Sequence, residues 1–233
     1  MSLASAKISI IIPTLNEAAA LARQLPSLQY YRDDGHEIIL VDGGSHDDTL
    51  AVARPMVDRL IQTVKGRAHQ MNEGADVARH DILLFLHADT GLPAAADKLI
   101  MQSLIAENHH WGRFNVRLSN EKFIFRLIGS MMNLRSAASG IATGDQAIFV
   151  KRTLFEDVGL FDRIPLMEDV ALSKKLLKHG RPCCLREAVE TSSRRWEEKG
   201  VWSTIFLMWR LRLSYFLGAS PAKLAERYYP DSN

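Results

Sequence analysis

Cysteine is nearly absent from this chain of 233 residues: the only two are the neighbours Cys183 and Cys184. Adjacent side chains diverge along an extended backbone and rarely bridge, so no disulfide framework is expected. No second Cys/His cluster accompanies the pair, which removes the usual structural zinc site. An excess of one charge is missing too, with 29 Lys+Arg against 27 Asp+Glu and a formal net charge of +2. That balance offers no extended surface to a polyanion, and nucleic acid is not an expected partner. No apolar run is long enough for a confident membrane-spanning helix. Met1–Lys7 lacks the apolar core of a secretory leader, so the cytoplasm is the expected compartment. Three local signatures are also absent: Gly-x-x-x-x-Gly-Lys-Ser/Thr, Gly-x-Gly-x-x-Gly after the first strand, and Gly-x-Ser-x-Gly. Kinase, dinucleotide oxidoreductase and serine hydrolase readings lose their main supports with them. The chain contains no internal repeat, low-complexity tract or linker that would divide it.

What is present is a 47% hydrophobic chain, enough for one substantial core. Lys7–Pro13, Glu37–Val41 and Asp81–Leu86 are short, nearly unbroken apolar runs. Such runs suit strands buried on both faces of a parallel sheet. A short third strand fits Asp58–Gln62. Between the strands lie helical segments: Glu17–Leu25 capped by Asn16 and ended by Pro26 and the polar Tyr30–Gly35, Asp48–Ala53 after Ser45 or Asp47, and Gly66 to about Ala78. Pro93 suits the first turn of a helix over Ala94–Glu107. This alternation predicts an α/β fold, a doubly wound, mostly parallel sheet with helices on both faces. The second half is less regular. Strands are expected at Trp111–Leu118, Gly144–Val150 and Arg181–Glu187, and helices at Lys122–Leu134, Lys151–Val158 and Met167–Leu177. Ser136–Thr143 reads as a small, polar, mobile loop. The apolar, aromatic Trp196–Leu217 forms a C-terminal helical segment.

Carboxylates recur at element ends: Glu17, Asp42, Asp89, Asp145 and the pair Glu168-Asp169. The first three follow successive strands and should line one edge of the sheet, where ligands of open α/β folds bind. Clustered carboxylates repel one another, and a hard cation bridging a phosphorylated substrate relieves the repulsion. Mg²⁺ or Mn²⁺ is the expected cofactor. Arg67, opening a helix near the same edge, would add positive charge at a phosphate site, and Glu168-Asp169 would supply a general base. Each residue also has a plain structural reading. Asp42 before Gly43-Gly44 suits a turn, Asp89 a turn or cap, and Glu168 the dipole of its own helix.

The strings Ile10-Ile-Ile-Pro-Thr-Leu-Asn-Glu17, Val41-Asp-Gly-Gly-Ser-His-Asp-Asp-Thr49 and Leu84-Phe-Leu-His-Ala-Asp89 resemble, in order and spacing, family 2 glycosyltransferases of the GT-A fold. Gly144-Asp-Gln146 and Met167-Glu-Asp169 continue the likeness over essentially the whole chain. Gly66-Arg-Ala, Gln70-Met-Asn72, Trp111-Gly-Arg-Phe114, Pro165-Leu-Met-Glu-Asp169 and Ser193-Arg-Arg-Trp196 are similar to a bacterial subgroup. It is the one labelled arsenosugar-biosynthesis glycosyltransferase, or radical-SAM/selenodomain-associated transferase 2. The resemblance implies one GT-A domain over 1–233: a nucleotide-binding half to about 92, an acceptor half to about 195 and the helical segment beyond.

It also implies site roles. Pro13, Thr14 and Glu17 would border the nucleotide, and Asp42 would contact base or ribose. Asp89 would be the last aspartate of the Asp-x-Asp metal motif. Asp169, beside Glu168, would deprotonate the acceptor hydroxyl. Asp145, Gln146, Arg195 and Trp196 would lie on the acceptor side. Two departures stand out. His87 replaces the first aspartate of the metal motif, and Ser192 replaces the opening Gln or Arg of Gln/Arg-x-x-Arg-Trp, so processive polymer synthesis is not expected. The implied activity is metal-dependent, inverting transfer from a nucleoside-diphosphate sugar to a hydroxyl acceptor. A nucleotidyltransferase and a catalytically silent sugar-nucleotide-binding protein are the rivals. For Trp196–Leu217, packing on the domain, with an acceptor-side role or a homodimer contact, is favoured over peripheral membrane contact. The reason is that its aromatics spread over more than one helical face.

Overall fold

The computed structural model describes residues 6–229. Most of Met1–Lys7, where no secretory leader is expected, and the last residues of the C-terminal segment therefore lie outside the described residues. In chain order the elements are β1 (Ile8–Thr14), α1 (Ala18–Asp33), β2 (Glu37–Asp42), α2 (Thr49–Ala53), β3 (Arg59–Gln62), α3 (Arg67–Val77), β4 (Ile82–Phe85) and β5 (Thr90–Gly91). They continue with α4 (Ala96–Met101), β6 (Trp111–Leu118), α5 (Phe123–Ser139), β7 (Phe149–Lys151), α6 (Arg152–Asp157), α7 (Glu168–Leu176), β8 (Cys183–Thr191), α8 (Arg194–Lys199), α9 (Val201–Phe216) and α10 (Pro221–Tyr228).

All the strands join one eight-stranded sheet in the order β3-β2-β1-β4-β7-β6-β8-β5. β3, β2, β1 and β4 run parallel, so the ends of β1, β2 and β4 emerge side by side along one edge. β7 is antiparallel to both β4 and β6, β8 is parallel to β6, and β5 is antiparallel to β8. The apolar runs are buried on both faces because their side chains alternate. Ile10, Ile12, Ile38, Leu40 and Leu84 meet Leu21, Leu25 and Leu28 of α1 on one face. Ile11, Ile39, Val41, Leu83 and Phe85 meet Met71 and Ala75 of α3 and Leu172 of α7 on the other. Gly74 is required in α3, because any Cβ there would collide with Ile11.

Four expectations are corrected. Pro26 does not end the first helix: α1 runs through it to Asp33. Pro26 and Ala22, whose carbonyl loses its donor, both face solvent, while Leu21, Leu25, Leu28 and Tyr31 are buried on one stripe. Burying four large side chains, at roughly 1.5–3 kcal/mol each, outweighs a proline cost of about 3 kcal/mol. Asn16 does not cap α1 and instead stands at φ +55°. The stretch Ser136–Thr143 is not a mobile loop. Ser136–Ser139 is the last turn of α5, Gly140 closes it at φ +73°, and Ile141, Ala142 and Thr143 are buried. Ala142 donates to Ser173 Oγ at 3.1 Å. Gly144–Gln146, expected within a strand, forms a single 3-10 turn ahead of the short β7.

At the opposite edge Glu37 knits three elements. It accepts from Ser9 Oγ (2.8 Å) and the Arg79 backbone N–H (2.8 Å) and pairs with Arg59 (3.1 Å) and Arg79 (2.8 Å). Burial alone would raise its carboxyl, but those hydrogen bonds and charges win and hold it below the ordinary 4.5. A carboxylate depressed on folding stabilises above its unfolded value, and that contribution is lost as pH falls through the folded value. Glu37→Gln is expected to cost about 2 kcal/mol at pH 7, the scale of charged hydrogen bonds. It should also lessen the fall in stability below pH 4.5. Denaturant melts from pH 7 downward check both; an acid limb identical to wild type would refute the assignment.

Candidate functional site

The site grows from the loops after β1, β2 and β4. The first two interlock. Asn16 N–H donates to Ser45 Oγ (2.8 Å), and Asn16 Oδ1 accepts from His46 N–H (2.8 Å). Glu17 N–H donates to Thr49 Oγ1 (2.9 Å) and Ala18 N–H to Asp47 Oδ2 (3.1 Å). The first turn of α1 is thus capped by the β2–α2 loop, and this requires the left-handed Asn16. Gln70 of α3 fastens the same ends from below, its Nε2 donating to the carbonyls of Thr14 (2.7 Å) and Val41 (2.8 Å).

Sequence-derived candidates fall into three groups. On the β1–β4 side, Glu17 and Asp89 lie close enough to act on each other's charge. Burial, then Asp89 and Asp47, push the Glu17 carboxyl up against the lowering pull of Arg194, which lies 3.7 Å away. Pro13 is half-buried beside them, while the Thr14 side chain is buried and turned to Val41 O at 3.5 Å. Asp42 is fully buried. Its Oδ2 accepts from Gly44 N–H (3.0 Å) and Ser45 N–H (2.9 Å), and its Oδ1 from Ser45 Oγ. Both oxygens therefore close the turn, as the plain structural reading has it.

The second group lines a cleft past β4. Arg67, His87, Gly144, Glu168 and Asp169 share its wall with Met71, Phe85, Ile148 and Phe161. Met167, at φ +69°, turns the chain sharply into α7 and brings Glu168 and Asp169 to its mouth. Asp169 Oδ2 accepts from Gly144 N–H (2.9 Å) and Oδ1 from Val170 N–H (2.7 Å). Arg67 stands 3.5 Å from Glu168. Burial raises the Glu168 carboxyl, beyond what Arg67 offsets, and the nearby Asp169 adds to the rise. His87 Nδ1 lies 3.3 Å from Asp145 Oδ1. Burial would raise the Asp145 carboxyl, yet its bond to His87 and the charges of His87, Arg67 and Arg212 hold it below the ordinary carboxylate range. Gly144 packs so tightly on the imidazole that a Cβ there would overlap it.

The third group leaves the cleft. Gln146 is fully buried, and its Oε1 accepts from Thr143 N–H at 3.2 Å, so it builds the turn and meets no solvent. Arg195 lies 3.6 Å over the Tyr228 ring and donates to Tyr228 O (3.2 Å), tying α8 to α10. Trp196 packs beside Leu118, Phe125 and Ile128. The neighbouring Arg194, which drew no attention in the sequence, is the arginine that reaches Glu17.

A divalent cation fits the rim on the donor chemistry there. Glu17, Asp47 and Asp89 crowd like charges, and oxygen ligands of this kind suit Mg²⁺ or Mn²⁺. Among the described residues, Asp89 does not belong to a three-ligand cluster. The two such groups are Glu107/His109/Cys183 and Asp34/His36/Asp97. A cation at Asp89 would complete its shell with water and substrate oxygens, as Mg²⁺ commonly does.

A parallel half-sheet with carboxylates at its strand ends, joined to a mixed half with an acidic helix start, is the architecture of a GT-A glycosyltransferase. Residues 9–152 match the model of "Glycosyl transferase family 2", and the chain belongs to that family. It is 34% identical over 171 residues to a PGL/p-HBAD biosynthesis glycosyltransferase of Mycobacterium bovis BCG, covering 69% of this chain and 65% of the relative. With the poly-beta-1,6-N-acetyl-D-glucosamine synthase of Staphylococcus epidermidis it shares 26% identity over 224 residues, covering 84% of this chain and 53% of the synthase. The chain thus spans between half and two thirds of these relatives' length. The fold is similar to the mannosyltransferase PcManGT from Pyrobaculum calidifontis, solved with GDP-Man and Mn²⁺. The TM-score is 0.64 at 22% identity, with 91% of this chain and 62% of that one covered.

Proposed function

We propose that this chain moves a sugar from a nucleoside-diphosphate sugar to an acceptor hydroxyl, with inversion, aided by Mg²⁺ or Mn²⁺ held at Asp89. The observation that carries the reading is the convergence of Asp169, Glu168, Arg67 and His87 on one cleft beside the acidic rim at Glu17 and Asp89. Asp169 takes the acceptor proton as the hydroxyl oxygen bonds to the anomeric carbon, while the bond from that carbon to the phosphate oxygen breaks on the opposite face. A bound cation would stabilise the charge gathering on the departing diphosphate. The Gly144 and Val170 N–H groups aim Asp169 and leave each oxygen a free lone pair. Asp42 acts indirectly, by shaping the turn on which the base or ribose rests. The arsenosugar-biosynthesis subgroup remains part of this proposal through Gln70-Met-Asn72 and Trp111. In this fold those residues brace the site: Asn72 clamps Phe161 through both backbone groups, and Trp111 donates to Gly180 O. Incubating the full chain with a panel of labelled sugar nucleotides, with and without Mn²⁺, tests the reading. Metal-dependent transfer or hydrolysis of one donor supports it; binding without turnover favours a silent sugar-nucleotide-binding protein.

A lipid surface is the proposed setting. Packing was the favoured expectation for the C-terminal segment, and Trp196, Leu211 and Tyr215 do pack, but Trp202, Phe206, Trp209 and Phe216 share one exposed face. Trp202, Phe206, Trp209, Leu213 and Phe216 recur at helical spacing along α9 and are all more than half exposed. Phe123, Leu127, Met131 and Leu134 recur at helical spacing on α5 and are 43–77% exposed; α5 packs against the start of α9. Neither helix contains an acidic residue, and Arg126 and Arg210 flank the stripes, a charge pattern complementary to anionic headgroups. Among the described residues no helix is long and apolar enough to cross a membrane, so the contact is peripheral. Wild type is expected to sediment with anionic liposomes at physiological salt, and Trp202→Ser with Trp209→Ser to remain in the supernatant with its circular dichroism intact. Equal sedimentation would refute the surface. A concentration-dependent dimer abolished by the same pair would reassign it to a second copy.

A further inference from the structure

The inner faces of α5 and α9 carry two arginines, Arg135 and Arg212, that lack a carboxylate partner among the described residues. Arg135 buries Nε and Nη2 away from solvent, and neither has a hydrogen-bond partner. No carboxylate among the described residues comes within salt-bridge distance of Arg135 or Arg212. Other buried arginines are at least partly engaged, although Arg113 and Arg195 each leave Nε unpaired. Arg152 donates to the carbonyls of Ala75, Ala78 and His80, and Arg113 to those of Phe114 and Asn133. Burial, then the like charge of Arg212, push Arg135 down to about 10, against the opposing influence of Asp169 and Asp145. Arg212 is lowered by burial too, against the same two carboxylates. Leu211, packed with Ile141, Met167 and Val170, fixes this part of α9 over the start of α7.

Two partly buried guanidiniums close enough for the charge of one to act on the other, with no carboxylate in salt-bridge contact, are unfavourable in the free protein. They become favourable when an oxyanion sits between them, because planar forks bind phosphate or carboxylate bidentately. We propose that Arg135 and Arg212 receive a phosphate or carboxylate group carried by the acceptor, so that the acceptor class is an anionic hydroxy compound. The inference rests on the glycosyl-transfer reading above. The pair is assigned to the acceptor and not to the donor's diphosphate because of the carboxylates that act on it. The carboxylates acting on both arginines are Asp169, the base, and Asp145, whereas the diphosphate is assigned to the Asp89 rim with its cation. An acceptor anchored by its anion at Arg135 and Arg212 would lie beside the carboxylate that must take its proton.

The test uses the full chain saturated with Mn²⁺ and whichever nucleoside diphosphate the donor panel identifies, and titrates inorganic phosphate by calorimetry and thermal shift. Wild type is expected to bind phosphate and gain melting temperature. Arg135→Met and Arg212→Met, on different helices, should each weaken phosphate binding about tenfold or more, the loss of a charge-assisted contact. Their affinity for the nucleoside diphosphate should stay within about twofold of wild type, a free-energy change well under that of one such contact. Arg23→Met, an exposed arginine of α1, should change neither. Phosphate binding untouched by both inner variants, or absent in wild type, overturns the proposal. A tenfold loss of nucleotide affinity in them also overturns it, by giving the pair to the donor. If no nucleoside diphosphate binds, the parent reading has failed, and the same phosphate comparison on the free protein still decides whether the arginines hold an anion.

Discussion

Asp169→Asn is expected to lower turnover by roughly 10²–10⁴-fold, the range for loss of a general base, while donor affinity stays close to wild type. The amide is nearly isosteric with the carboxylate. By turning its oxygen to Gly144 N–H it keeps the 2.9 Å contact that fixes the side chain. What it loses is the bond from Val170 N–H, which lies outside the donor contacts, and the proton affinity, which matters as the acceptor hydroxyl attacks. The signature is therefore a fall in kcat without a matching loss of nucleotide binding. Single-turnover rates with calorimetric donor affinities check it. Wild-type turnover in the variant would reject Asp169 as the base. The next candidate would be Glu168, already buried 3.5 Å from Arg67 and biased toward its protonated form.

Asp89→Asn is expected to abolish metal stimulation. Asp89 is the residue assigned to hold the cation, and the charge stabilisation a cation offers a departing diphosphate is worth several kcal/mol, about 10³-fold or more in rate. Donor affinity in the presence of Mn²⁺ should fall toward its metal-free value, because water and phosphate oxygens alone hold the cation weakly. A second effect reads the rim directly. Removing the Asp89 charge takes away one of the groups that raise the Glu17 carboxyl, so Glu17 should titrate lower in the variant, a change visible by NMR without any substrate. Calorimetry showing the same Mn²⁺-dependent nucleotide affinity in variant and wild type would sink the assignment.

Much of the fold was legible in the sequence because its strands are simple. Ile10-Ile-Ile12, Ile38-Ile-Leu-Val41 and Ile82-Leu-Leu-Phe85 are apolar at every position, which only a strand covered on both faces tolerates. Their order and the helices between them led to the parallel half-sheet that β3, β2, β1 and β4 form. The second half was harder to read. Gly144–Val150 shows the composition of a strand, but residues 144–146 turn because Gln146 caps Thr143 and Gly144 must press on His87. Pro26 looked like a stop because local propensity says so, and the core under α1 overrode it.

What the sequence determined by itself was the family and the identity of the carboxylates at the element ends, since motif spacing and strand periodicity are local properties of the chain. What only the tertiary structure decided was which charges meet. Arg67 pairs with Glu168, a partner a hundred residues away in the chain, and His87 with Asp145. Asp42 closes its own turn. Arg194, and not Arg195, reaches Glu17. Among the described residues Arg135 and Arg212 have no carboxylate within salt-bridge distance, although the charge of Asp169 acts on both. The reason is physical: Coulomb interactions and hydrogen bonds act over a few ångströms in space. Residues far apart in sequence acquire those distances only when the sheet, and the helices packed on it, bring them together.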